Sequence, residues 1–155
     1  MKDIQRTAIE KGLERKGRSL DEITFSIPIM TAVGDSEEEL AKTREHARMM
    51  IAFYGSTPGY EPMFEHHGYD GLGQELNGLQ RKGDIPGMKK LVNDEVMSHY
   101  MVESNWNDLG PKLVDRYKDL APNVRVTSYT AADHFSDPAM REKWSHVTKA
   151  MRDAG

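Results

Sequence analysis

The sequence contains no cysteine, which excludes disulfides, thiolate metal centres and thiol nucleophiles together. No apolar run approaches the roughly 18 residues that a membrane span needs; the most apolar stretch is residues 49–54. A basic excess is also missing. The 21 Lys and Arg stand against 25 Asp and Glu, a formal charge of −4, so nucleic acid has no electrostatic footprint to bind. The opening residues MKDIQRTAIEKG are charged and helix-like rather than a secretory signal, and a cytoplasmic location is expected. What is present is globular material: 37% apolar and 30% charged residues in a chain of 155. That is enough for one core and cramped for two.

Residues 2–16 read as a helix with Ile4, Ala8, Ile9 and Leu13 on one face and Gly17 as its stop. Residues 23–33 carry the clearest strand signal. Ile23, Phe25, Ile27, Ile29 and Val33 alternate with the small or uncharged Thr24, Ser26, Pro28, Met30 and Ala32. Such a strand has protein on both sides, the habit of a parallel α/β sheet or barrel. Pro28 cannot donate to a ladder, so a bulge or break is expected there. Gly34 ends the strand, and Asp35-Ser36-Glu37-Glu38-Glu39 opens a helix with capping-box spacing and an acidic first turn.

That helix continues through Leu40, Ala47, Met50, Ile51 and Tyr54 to Gly55. Residues 61–83 suggest short helices, and Asp84 caps a further helix reaching about residue 101. A polar break at residues 103–105 leads to a helix over about 108–120, a second strand at 124–129, and a closing helix behind Asp137-Pro138. A strand covered on both faces needs neighbours on both edges, yet only one other strand is legible. Two strands rarely make an independently stable sheet. Either copies of the chain complete it, or it is a piece of a larger α/β protein.

The run IAFYGSTPGYEPMFEHHGY, residues 51–69, and the preceding ITFSIPIMTAVGDSEEELAKTREHARMM resemble the C-terminal half of luciferase-like monooxygenases. More narrowly, they are similar to the deazaflavin-dependent branch, whose insert element is similar to LVNDEVM at residues 91–97. The resemblance covers about residues 9–129, and residues 130–155 match loosely. It implies an α/β fold in which residues 1–155 form one segment of a (β/α)8 TIM barrel. That segment would hold the last two strands, their helices and a helical insert over about 56–101, an incomplete barrel.

The resemblance further implies an oxidoreductase, with hydride transfer between coenzyme F-420 (8-hydroxy-5-deazaflavin), or alternatively FMN, and a small organic substrate, and with no metal. A barrel active site collects residues from the ends of several strands. The chain alone is therefore expected to be inactive, with the missing N-terminal barrel half, or self-association, as its partnership. No nucleic acid or membrane partner is expected. No residue is assigned to catalysis or to the cofactor.

The substrate-pocket candidates are Tyr54, Ser56, Thr57, Tyr60, His66 and His67. Glu65-His66-His67 with Tyr69 and Asp70 offers imidazoles and carboxylates for metal binding or proton transfer. Adjacent histidines on a helix point about 100° apart, which suits chelation poorly, and His-x-x-x-His is absent. The pair reads either as a barrel-mouth substrate wall or as an exposed helix end. Ser56-Thr57-Pro58-Gly59-Tyr60 reads either as a helix stop or as a ligand-binding loop, and Tyr54 either as core or as pocket. Asp133-His134 with Ser136 lacks a Gly-x-Ser-x-Gly elbow, and residues 68–73 lack the Lys-Ser or Lys-Thr of a phosphate loop. Two readings come from other classes. One is a non-catalytic helical interaction module using residues 61–101, and the other is a His/carboxylate metalloprotein.

Overall fold

Strand β1 (Phe25–Val33) lies at the centre of a three-stranded parallel sheet in the computed structural model, which describes residues 2–120, 123–129 and 136–154. Strand β2 (Met101–Ser104) pairs with residues 30–33 of β1 on one edge, and β3 (Val124–Tyr129) pairs with residues 25–30 on the other. The helices are α1 (Lys2–Glu14), α2 (Glu37–Gly55), α3 (Glu61–Glu65), α4 (Leu72–Lys82), α5 (Ile85–Leu91), α6 (Asp94–Tyr100), α7 (Trp106–Tyr117) and α8 (Pro138–Ala154). Single 3-10 turns occupy Leu20–Glu22 and Pro58–Tyr60.

The alternation in β1 sorts the helices into two layers. Met30 and Ala32 face α2 and the insert, in a core with Ala47, Ile51, Phe64, Leu76, Met88, Val96 and Met97. Ile29 and Val33, with Val102 of β2, face the other way onto Trp106, Leu109 and Leu113 of α7 and Val147 of α8. Cover on both sides holds from Ile29 onward. Lower on β1, Ser26 and Pro28 are exposed, as are Arg125 and Thr127 of β3, so the sequence expectation of a strand buried along both faces is correct for its upper half.

Helices of five to seven residues do not persist alone in water. α3, α5 and α6 exist because Phe64, Met88, Val96 and Met97 are fully or almost fully buried, each such side chain contributing about 1.5–3 kcal/mol.

Three local expectations change. The helix expected from Asp84 to about residue 101 is two helices, broken at Val92 and Asn93. Asp84 does cap the first, accepting from Gly87 N at 2.9 Å, but Asn93 starts the second by accepting from Val96 N at 2.9 Å. The polar break expected at residues 103–105 is half strand: Glu103 and Ser104 complete β2. The break expected at Pro28 does not occur, because β1 runs through it in register with Thr127. Alternate residues of a strand direct their N–H groups to opposite edges. Phe25 N points to the β3 side and Gly34 N to the β2 side, so residue 28 faces the edge where β2 has not yet begun. Its missing donor has nothing to bond there.

Candidate functional site

The carboxyl ends of β1, β2 and β3 are each followed by a helix, so the N-termini of α2, α7 and α8 gather at one edge of the sheet. Ligands of open α/β sheets bind at such edges, where helix dipoles favour negative or electron-rich groups. Gly34 makes the first turn possible. A Cβ there would stand 2.5 Å from Leu40 N and 2.7 Å from Glu39 Cβ, so no side chain fits between strand and helix. Ser36 then caps α2, accepting from Glu39 N at 3.2 Å, while Glu39 Oε2 accepts from Asp35 N at 2.9 Å. Asn105 caps α7 by accepting from Asp108 N at 2.8 Å, and Asp137 accepts from Ala139 N at 2.9 Å ahead of α8.

Asp35 joins these pieces. Its Oδ1 accepts from Trp106 N at 3.3 Å, and its Oδ2 lies 3.2 Å from Lys143 Nζ of α8. Lys143 also stands 5.3 Å over the Trp106 ring, and Trp106 meets Trp144 edge to face at 5.3 Å. On the same side of the sheet as Val33, Ser104 Oγ is buried with no hydrogen-bond partner among the described residues, and so is Trp144 Nε1. A cavity of about 180 Å³ opens at this edge among Val33, Lys42, Thr43, Trp106 and Met140, with the carboxylates Glu39 and Asp137 also in its lining. It is smaller than the roughly 300–1,000 Å³ of ordinary ligand pockets.

The sequence candidates lie elsewhere. Thr43 touches Val33 at the carboxyl edge, and α2 then runs down the sheet, so Tyr54 lies about 16 Å further along the helix axis. The loop 56–60 follows a helix rather than a strand, which places it at the end opposite the strand carboxyl termini. Ser56 is fully buried. Its hydroxyl lies 2.6 Å from Phe53 O and 2.7 Å from Gln80 Oε1, and its carbonyl accepts from Asn77 Nδ2 at 2.8 Å. Ser56 thus bolts the end of α2 to α4. Thr57 is exposed ahead of the 3-10 turn. The structure brings Tyr54 and Tyr60 together, ring centroids 6.1 Å apart, with Tyr60 exposed.

His66 and His67 form a separate group with residues that sequence reasoning did not single out as a site. The His67 and His99 rings stack at 4.2 Å and 27°, and Tyr100 stands edge-on to His67 at 5.5 Å. His67 is exposed at the surface; partial desolvation of its ring first, and then the neighbouring His99 and His66, hold the imidazole below its ordinary value. Burial pushes the Tyr100 hydroxyl up to about 12. The only sequence signal for this meeting was a His-Tyr pair ending the helix that follows LVNDEVM.

Among the described residues, no group of three or more His, Asp or Glu side chains is placed to hold a metal ion. None of their helices is long and apolar enough to cross a membrane. The Asp133-His134 pair lies outside the described residues.

A parallel α/β sheet with helix N-termini collected at its carboxyl edge defines the general class. Residues 3–123 match the model of the luciferase-like monooxygenase family, and the chain belongs to that family. It is 29% identical over 140 residues to the proteins named "Uncharacterized protein Rv1360" of Mycobacterium tuberculosis and "Uncharacterized protein Mb1395" of Mycobacterium bovis. The match covers 90% of this chain and 41% of each relative, so the chain spans about two-fifths of their length. No solved structure matches it significantly.

Proposed function

We propose that this chain forms one part of an oxidoreductase that transfers a hydride between a deazaflavin of the coenzyme F-420 type, or alternatively FMN, and a small organic substrate. The observation that carries the reading is the family match across residues 3–123. The carboxyl edge of the sheet agrees with it, because barrel active sites stand at that end of the strands.

At the carboxyl edge the described residues do not enclose such a cofactor. A cavity of about 180 Å³ bounded by Lys42, Trp106 and Met140 accommodates a fragment of a tricyclic ring system, not the whole molecule. In this reading the chain supplies one wall and polypeptide beyond it supplies the others: the N-terminal half of a barrel, or a second copy. The cofactor carries the redox chemistry, and the protein positions it and excludes water. Lys42 would orient a carbonyl or other electron-rich group at the edge, beside the carboxylates Glu39 and Asp137 that share the cavity. Ser104 Oγ and Trp144 Nε1 hold buried hydrogen-bonding capacity on the same side.

A second reading keeps the site on Tyr54, Thr57, Tyr60, His66 and His67 as a substrate wall. The exposed Tyr60 ring against Tyr54 favours it. The two are separated by assaying turnover in the chain joined to the region of the mycobacterial relatives outside the match. Lys42→Ala is expected to lower cofactor affinity or turnover about tenfold while Tyr60→Ala changes either less than twofold; tenfold is the loss of one charge-assisted contact, about 1.4 kcal/mol. The reverse pattern would move the site to the Tyr54–Tyr60 end.

A further inference from the structure

The turn after α3 and the end of α6 meet through imidazoles. His67, two residues past α3, stacks on His99 of α6 at 4.2 Å with the ring planes only 27° apart. His66 stands edge-on to His67 at 5.1 Å, and Tyr69 edge-on to His99 at 5.8 Å. Beside the stack, Tyr100 Oη donates to Met63 O at 2.9 Å, and its ring meets the buried Phe64 at 5.5 Å. Among the described residues, the surrounding charges come from three elements. Arg116 of α7 donates to the His99 carbonyl at 2.9 Å and repels a proton on His67. His66 does the same from the turn. Glu95, at the start of α6, faces Tyr69.

We infer that the His67–His99 stack is a pH-sensitive latch that fastens residues 63–69 onto α6 when both rings are neutral and loosens when both are protonated. Neutral imidazoles stack favourably, whereas two imidazolium rings about 4 Å apart repel each other, with Arg116 and His66 adding to the cost. A proton on one ring therefore disfavours a proton on the other, and this repulsion helps hold the His67 imidazole below its ordinary value. A base whose folded-state value is depressed binds fewer protons folded than open. Its contribution is complete above about pH 6.5 and is lost as pH falls below that value. The latch does not rest on the carboxyl-edge reading, because it stands at the opposite end of α2 from that edge.

The experiment is a pH titration of the histidine ring protons by NMR, with amide hydrogen exchange at pH 7.5 and 5.5 read as protection factors. In the native chain the His67 midpoint is expected below 6.5. In His99→Asn it rises toward the ordinary value without reaching it, because partial desolvation and His66 still act on the ring. Protection of the amides of residues 64–67 is expected to fall about fivefold on acidification in the native chain, the ratio set by two unit charges about 4 Å apart in water. His99→Asn removes that pH dependence. Tyr100→Phe lowers protection at both pH values and leaves the dependence intact, which separates the latch from simple packing loss. His67 and His99 titrating independently at the ordinary value would overturn the inference. So would protection that does not change with pH, or a dependence that survives His99→Asn.

Discussion

Asp35 and Lys143, 108 positions apart in the sequence, meet with Oδ2 and Nζ 3.2 Å apart, while the other oxygen of Asp35 accepts from Trp106 N. One side chain in the β1–α2 turn thus fixes the starts of α7 and α8 relative to the sheet. Both partners of the ion pair are partly exposed, at 31% for Lys143 and 51% for Asp35. The pair itself is therefore worth about 0–1 kcal/mol. The larger share comes from the backbone donor of Trp106.

Substitution of Asp35 separates these shares. Asp35→Ala is expected to cost about 1–2 kcal/mol, since it removes an acceptor at a helix start. Asp35→Asn keeps the acceptor and should cost less. Urea unfolding at low and high salt measures both, and an Asn variant as damaged as the Ala variant would assign the effect to the charge.

Ser36→Ala is expected to destabilise the fold by about 0.5–2 kcal/mol, the ordinary cost of an N-cap. Its hydroxyl accepts from Glu39 N at 3.2 Å. Denaturant melts read the change, and a cost indistinguishable from zero would mean that Glu39 and Asp35 hold the turn without it.

Gly55→Ala places a methyl group 2.5 Å from Phe64 Cζ and 3.2 Å from Leu76 Cδ1. Phe64 and Leu76 are fully buried, so the clash is not relieved by turning a side chain into solvent. The expected loss is about 1–3 kcal/mol, seen as a lower thermal midpoint. A neutral outcome would show that α3 shifts freely against α2.

Arg48 ties α2 to the junction of α5 and α6. Its guanidinium donates to the Val92 carbonyl, to Asp94 Oδ1 at 2.6 Å and to Glu45 Oε1 at 2.8 Å, and the side chain is only 14% exposed. Arg48→Ala strands the Val92 carbonyl at the break between the helices and is expected to cost about 1–3 kcal/mol. Arg48→Lys should recover little, because an ammonium cannot reproduce the fork. Recovery by Lys in thermal unfolding would reduce the role of Arg48 to charge alone.

The sequence made some of this legible and hid the rest for identifiable reasons. Residues 23–33 displayed β1, and the two-sided cover of its upper half, because alternation is a local signal, and Ser36, Asp84 and Asp137 announced helix starts through their own side chains. The strand 101–104 was hidden. Four residues carry too little periodicity, and Glu103 and Ser104 look like a loop until Ala32 and Val33 of β1 are placed beside them. Glu103 itself is satisfied by Arg44, with guanidinium nitrogens 2.5 and 2.8 Å from its two oxygens, a partner 59 positions away. Residue chemistry and family resemblance point to Tyr54, Tyr60 and the histidines but carry no information on where the helices place them. Which end of α2 carries Tyr54 and Tyr60 depends on helix direction, and Asp35, Lys143 and Trp106 converge only after folding.

The central claim is that residues 3–123 carry one wall of a cofactor site belonging to a luciferase-like oxidoreductase. Its most direct test is a titration of oxidised coenzyme F-420 and of FMN, separately, followed by visible absorbance and fluorescence. One arm uses the chain alone, and the other adds the region of the mycobacterial relatives outside the match. The account predicts no saturable binding by the chain alone and saturable micromolar binding of one cofactor by the combination. Saturable binding by the chain alone would contradict the shared-wall account, and no binding of either cofactor by the combination would contradict the proposed redox chemistry.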